Sequence, residues 1–145
     1  MIRVQAEEAL AIHSSGGNFE IDIAGNLIKC RVWRRRDLSR EEGARCGEQM
    51  TSDLMSLAKG PQGDDAGFIF DLREAPPAGP ITQRSIERLL STFEEKGRRI
   101  ALVSAPDPLQ LMQLRRMSAS SAPTSSKVFT ELSEAQAWAV PAAHP

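Results

Sequence analysis

The fold is decided by residues 19–33, FEIDIAGNLIKCRVW, in which two alternating segments flank a Gly-Asn pair. Phe19, Ile21 and Ile23 alternate with acidic residues, and residues 27–33 continue the alternation. A period of two is typical of a half-buried strand, and a short turn between two such runs predicts a β-hairpin. We therefore expect the sheet to open with this hairpin.

Beyond the hairpin, helical and strand patterns follow one another along the chain. Ser39 and Glu42 form a capping box, and apolar residues then recur every three or four positions until Gly60. Short apolar runs predict three further strands, at residues 68–70, 100–103 and 128–129. The predicted order is β-β-α-β-α-β-α-β-α. It indicates an α/β fold with a mixed sheet of four to five strands and helices packed on it.

The length of 145 residues suits one domain. Residues 1–17 lack clear periodicity, and we interpret them as a loose lead-in. Residues 18–140 are predicted to form the α/β domain, and residues 141–145 a tail. No run approaches the ~20 apolar residues of a membrane span, and the start of the chain does not resemble a secretory signal. Two isolated cysteines, Cys30 and Cys46, are typical of a reducing compartment, so we expect a cytoplasmic protein.

The net charge does not indicate a class of binding partner, because 18 basic residues nearly balance 19 acidic ones. The basic residues cluster at three places, Arg34-Arg35-Arg36, Arg98-Arg99 and Arg115-Arg116. A combined patch would attract phosphate or an acidic partner. Glutamates adjoin two of the clusters, however, and the sequence has no tyrosine and only two tryptophans for base stacking. We interpret the clusters as solvated faces and expect no binding to nucleic acid.

The sequence contains no recognisable catalytic motif. Its two histidines, His13 and His144, lie near the ends of the chain, and no spacing for a metal site or a nucleotide loop occurs. Asp71 follows a predicted strand, where ligands of α/β sheets bind, so with Arg73 it is the candidate for an enzyme site. The alternative is that Asp71 caps its own loop by accepting backbone amides. We predict no catalytic residue, no metal and no cofactor.

Three segments carry a resemblance to a known family: FIFDLR at residues 68–73, RIALVSAPDPLQLMQLRR at residues 99–116 and VFTELSEAQAWAV at residues 128–140. Together with the hairpin, they resemble the STAS domain, named for sulfate transporters and anti-sigma-factor antagonists. The resemblance extends from about Phe19 to Val140 and is greatest to divergent bacterial members. It implies a STAS-like fold and a regulatory, protein-binding role.

In the anti-sigma-factor antagonists, a Ser or Thr at the start of the following helix is phosphorylated, and the added charge breaks partner binding. Here that loop reads EAPPAGPITQRS, residues 74–85, without the family's Asp-Ser-Ser/Thr-Gly pattern. Thr82 and Ser85 match the position only loosely. Each is a candidate phosphosite, and the alternative is that Thr82 is a helix cap and Ser85 a residue of the first turn.

The leading hypothesis is a non-enzymatic module that binds another protein, without the family's usual phospho-switch. Its predicted surface is the loop after the third strand, the helix start behind it and a tryptophan of the hairpin: Arg73, Glu74, Pro76, Pro77, Thr82 and Trp33. The alternative is a domain for a small apolar ligand or lipid, which needs a pocket of about 300 Å3 or more between helices and sheet. An exposed hairpin edge would also allow a homodimer.

Overall fold

The predicted hairpin forms the second and third strands of a six-stranded sheet in the computed structural model. The structure describes residues 11–61, 64, 66–75 and 78–140, with the backbone alone for residues 11–15. The strands are β1 (Ala11–Ser15), β2 (Phe19–Ala24), β3 (Leu27–Trp33), β4 (Gly67–Glu74), β5 (Ile100–Val103) and β6 (Ser126–Phe129). The helices are α1 (Arg40–Lys59), α2 (Pro80–Lys96), α3 (Pro108–Ser121) and α4 (Leu132–Ala139).

The six strands lie in the sheet in their order along the chain. β1, β2 and β3 pair antiparallel, whereas β3, β4, β5 and β6 pair parallel. Gly25 joins β2 to β3 with a φ of 61°, a left-handed conformation that favours glycine. A helix follows each of the last four strands, so the predicted class, α/β with a mixed sheet, is confirmed.

The strand β1 was not predicted, because residues 1–17 were interpreted as a loose lead-in. Ala11–Ser15 instead pairs with β2, and its register shifts between Ile12 and Ser14. Such a bulge interrupts the alternation by which a strand is recognised in sequence. β1 also covers the outer edge of β2, so the hairpin edge considered for a homodimer is already paired. Residues 1–10 and 141–145 of the predicted lead-in and tail lie outside the described residues.

The helix boundaries agree with the predicted signals in most places. The capping box is formed: the Ser39 hydroxyl accepts from the Glu42 amide at 3.1 Å, and the Glu42 carboxylate accepts from the Ser39 amide at 3.0 Å. Helix α2 begins at Pro80, because proline suits the first helical position, so Gly79 is the cap residue and Thr82 lies in the first turn. Helix α3 extends from Pro108 to Ser121.

The core has two layers because three helices cover one face of the sheet and one helix covers the other. Under α1, α2 and α3, the rings of Phe68 and Phe93 meet edge to face with centroids 4.7 Å apart. On the opposite face, α4 packs on β4 and β5. The buried residues of this layer are Ala135 and Ala139 of α4, Ile69 of β4, and Ala101 and Val103 of β5. No helix within the described ranges is long and apolar enough to cross a membrane.

Candidate binding site

Two cavities lie where β3, β4 and β5 end and the connections to α1, α2 and α3 begin. This is the edge of a parallel sheet at which ligands of α/β proteins generally bind. The larger cavity, which we call the α1–α2 groove, has a volume of about 550 Å3. The smaller one, the α3 hollow, has a volume of about 260 Å3. Ala75, at the end of β4, lines both, so they are neighbours across one loop.

The α1–α2 groove has a mostly apolar lining contributed by helices, strands and the loop before α2. Its lining residues are Asn18, Val32, Arg40, Gly43, Ala44, Gly47, Met50, Leu72, Ala75, Ala78, Gly79, Pro80, Ile81, Thr82 and Ile86. The groove exists because α1 presents small residues towards α2. A Cβ atom added to Gly43 would meet nothing within 4 Å, and one added to Gly47 would lie 3.9 Å from the Thr82 hydroxyl.

Two polar side chains of the groove, Arg40 and Asn18, have groups without partners among the described residues. Arg40, the first residue of α1, is exposed and makes no salt bridge within the described residues. The buried Oδ1 atom of Asn18 accepts no hydrogen bond from the described part of the chain. A cavity with an apolar body and a few polar groups on its wall is the usual form of a binding pocket.

The polar groups of the α3 hollow are, by contrast, bonded to the protein itself. The Gln110 amide donates to the Leu72 carbonyl at 2.7 Å and accepts from the Ala105 amide at 2.8 Å. The Asp107 carboxylate caps α3 by accepting from the Leu109 amide at 3.3 Å. These bonds hold the ends of β4 and β5 to the start of α3. The polar groups of the hollow therefore stabilise the packing of β4, β5 and α3 against one another.

Asp71, the candidate carboxylate, is held by Arg73. Its oxygens accept from the Arg73 backbone amide at 3.1 Å and from the Arg73 guanidinium at 2.9 and 2.8 Å. Burial of Asp71 favours a raised pKa, but the hydrogen bonds and charge of Arg73 outweigh it, so the pKa of the carboxyl lies below its usual value. Arg73 lines the α3 hollow, whereas Asp71 lines neither of these two cavities.

The predicted site residues are divided between the groove and other surfaces. Thr82 lines the groove, and Arg73 lines the α3 hollow. Ser85 is buried, with 2% of its surface exposed and no hydrogen-bond partner for its hydroxyl among the described residues. Glu74 is exposed and pairs in register with Trp33. Trp33 is half-buried, and Pro76 and Pro77 lie outside the described residues.

Sequence reasoning missed Arg40, Asn18 and the two glycines that α1 contributes to the groove. Gly43 and Gly47 are four residues apart in one helix, and this spacing was the signal that could have located the groove. Sequence reasoning also missed three exposed apolar side chains. The large hydrophobic side chains exposed in the described residues all lie in the first two turns of α2 and α3: Ile81 at 51%, Leu109 at 61% and Met112 at 59%.

Comparison with known proteins supports the architecture. No protein-family model and no curated protein matches the sequence. The structure is similar to the crystal structure of an uncharacterised protein of the DUF3478 family with a SpoIIAA-like fold, from Shewanella loihica PV-4. The TM-score is 0.57, the identity is 19%, and the match covers 87% of this chain and 98% of that one. The chain therefore has the STAS-like fold that its sequence resembles, and identity this low shows the fold alone.

Proposed function

We propose that this chain is a non-enzymatic regulatory module that binds another protein at the α1–α2 groove and the helix starts beside it. The observation that carries the proposal is the position of Ile81, Leu109 and Met112. All three are more than half exposed, and all lie at the sheet edge that carries the groove. Contiguous exposed apolar surface on a folded protein commonly marks an interaction site.

The surroundings of the groove support binding rather than catalysis. The candidate carboxylate, Asp71, has its oxygens occupied by Arg73. The proposal includes no phospho-switch at Ser85, because a kinase would first have to open the packing that buries it. Thr82 lines the groove and would be the residue to examine if phosphorylation regulates binding. A cytoplasmic location belongs to the proposal, since Cys30 and Cys46 are both free thiols.

Site-specific photo-crosslinking in cells tests the proposal. A photoreactive amino acid at position 81 is expected to form covalent adducts with a partner protein. The same amino acid at Arg88, exposed on the same helix outside the groove lining, is the matched control. Adducts that form at 81 and not at 88 would support the groove as the site. Equal adducts at both positions, or none at 81, would count against it.

Binding of a small apolar ligand or lipid is the second candidate, and the groove volume favours it. About 550 Å3 is well above the roughly 300 Å3 at the lower end for ligand pockets. Native mass spectrometry of freshly purified protein would reveal a retained ligand as added mass. Loss of that mass in Gly43→Leu, which extends a side chain into the open space of the groove, would locate the ligand there.

A further inference from the structure

The basic cluster between β3 and α1 has no role in holding the fold, apart from its middle member. Arg35 donates to the Asp37 carboxylate and to the Gly17 carbonyl, which ties the connection to the segment before β2. Arg34 and Arg36 are exposed and form no salt bridge within the described ranges. Their positive charges are therefore available to a binding partner.

These charges adjoin the α1–α2 groove. Val32, at the end of β3, lines the groove, and Arg34 follows it by two residues. Arg40 opens α1 and itself lines the groove. Arg34 and Arg36 thus lie in the connection between two residues of the groove wall, Val32 and Arg40, and we call Arg34, Arg36 and Arg40 the rim.

The acidic residues nearby do not cancel this rim. Glu42 is engaged in the capping box with Ser39, whose backbone and side chain lower the pKa of its carboxyl. Asp37 is paired with Arg35. Glu41 and Glu74 remain as exposed carboxylates, and Glu74 pairs in register with Trp33, the residue before Arg34. Three exposed guanidinium groups thus stand against two exposed carboxylates. The local field at the rim therefore favours negative charge.

We propose that the partner is an acidic, amphipathic protein segment that inserts an apolar side chain into the groove and places carboxylates against Arg34, Arg36 and Arg40. This inference rests on the proposed function and specifies the chemistry of the partner. A large apolar side chain in a desolvated pocket is the usual anchor of such an interface. The unpartnered Asn18 oxygen on the groove wall accepts a hydrogen bond from an N–H group of the segment.

The extent of the surface favours a protein segment over a single amphiphilic molecule. Four exposed residues lie outside the groove lining: Arg34 and Arg36 in the connection between β3 and α1, and Leu109 and Met112 in α3. A ligand held within the groove leaves these groups in water. A protein segment that crosses the groove covers apolar and charged groups together, in the manner of a helix bound in a surface groove.

Peptide display on the full chain tests this inference. Peptides of about 16 residues, roughly four helical turns, are selected from a random library. The expected consensus has an aromatic or aliphatic anchor flanked by Asp and Glu. Rim charges act mainly on association and specificity, so binding of the consensus peptide should weaken between about 50 and 500 mM salt.

Three variants separate the contributions to binding. Arg34→Glu with Arg36→Glu should weaken consensus binding about tenfold or more, because attraction becomes repulsion. Arg115→Glu with Arg116→Glu, a matched reversal at exposed sites of α3, should leave it unchanged. Gly43→Leu should abolish binding by filling the groove, while circular dichroism shows the helix content retained.

The outcomes distinguish this inference from the proposed function. The inference would be overturned if the selected peptides lose binding with Gly43→Leu but contain no acidic residues. It would also be overturned if they bind the variant with Arg34→Glu and Arg36→Glu as tightly as the original chain. In both cases the groove would remain a protein-binding site. Failure to select any peptide sensitive to Gly43→Leu would overturn both. A single-chain amphiphile such as dodecanoate that binds the groove where peptides do not would assign the site to a small ligand.

Discussion

The α1–α2 groove and the α3 hollow lie at the same edge of the sheet, yet they differ in what their polar groups do. Two side-chain amides illustrate the difference. The Gln110 amide of the hollow donates to Leu72 and accepts from Ala105 and Ser104. The Asn18 amide oxygen of the groove accepts nothing from the described residues. Polar groups that bond internally join elements of the fold, whereas those without internal partners are available to a ligand.

The same contrast holds for the arginines. Arg73 at the hollow forms an ion pair with Asp71 at 2.8 Å, while Arg40 at the groove has no ion-pair partner in the described chain. Substitutions at the hollow should therefore reduce stability, whereas substitutions at the groove should change binding. Three measurements of the free energy of unfolding test this difference between the two cavities.

The largest effect is expected for Gln110→Ala. The substitution leaves the Ala105 amide without its acceptor and removes one of two donors to the Leu72 carbonyl, which still accepts from the Ala75 amide at 3.1 Å. An unsatisfied buried group costs about 1 to 3 kcal/mol, so we expect the free energy of unfolding to fall by about 1 to 3 kcal/mol. Urea unfolding would show a lower midpoint with an unchanged slope.

Gln113→Ala is the matched control for that measurement. Its amide lies 3.5 Å from the Ala78 carbonyl, which already accepts from Gln83 at 2.9 Å. We expect a loss below about 0.5 kcal/mol. Equal losses for the two glutamines would mean that the polar groups of the hollow do not stabilise the packing of β4, β5 and α3.

The second effect concerns Asp71 and pH. Because the folded pKa of Asp71 lies below its unfolded value, this group stabilises the fold above the unfolded pKa of about 3.9. That stability is lost as the pH falls through the lower, folded pKa. Asp71→Asn should lower the free energy of unfolding by about 1 kcal/mol at pH 7. The loss is modest because Arg73 is partly exposed and solvent screens the ion pair. The loss should become smaller towards pH 3.

Asp22 provides a control of opposite sign for the pH measurement. Burial, with the neighbouring charge of Glu20, raises the pKa of its carboxyl. The stability contributed by the protonated group is present below the unfolded pKa and is lost as the pH rises through the folded value. The free energy of unfolding of Asp22→Asn, measured relative to the original chain, should therefore increase from pH 3 to pH 7. A pH-independent difference for Asp71→Asn would refute the role of its ion pair.

The sheet and the helix boundaries could be predicted from sequence because local signals specify them. Ser39 with Glu42, Gly97 with a φ of 64°, and Asp107 with Pro108 each act within a few residues. β1 escaped prediction because its bulge breaks the alternation. The ion pair of Asp71 with Arg73 has a local signal as well, since residues two apart in a strand point to the same face.

The groove could not be predicted from local patterns. Whether a neighbour fills the space beside Gly43 depends on how α1 packs on α2. Arg34 and Arg36 were interpreted as part of a solvated face. They lie in the connection between Val32 near the end of β3 and Arg40 at the start of α1, both of which line the cavity.

The smallest change in the free energy of unfolding is expected for substitution of Gly43. It tests whether a glycine is needed here for its backbone conformation or only leaves the groove open. Its φ is not in the left-handed region, and a Cβ atom there meets nothing within 4 Å. Gly43→Ala should therefore raise the free energy of unfolding by about 0.5 to 1 kcal/mol, the usual gain from replacing glycine inside a helix. At Gly67 the same change should destabilise, because the Cβ atom would lie 2.3 Å from the Ala139 carbonyl oxygen. A loss of stability at Gly43 would mean that the groove is closed by packing in solution. The groove and the hollow would then not differ in function, because both cavities would be parts of the structural core.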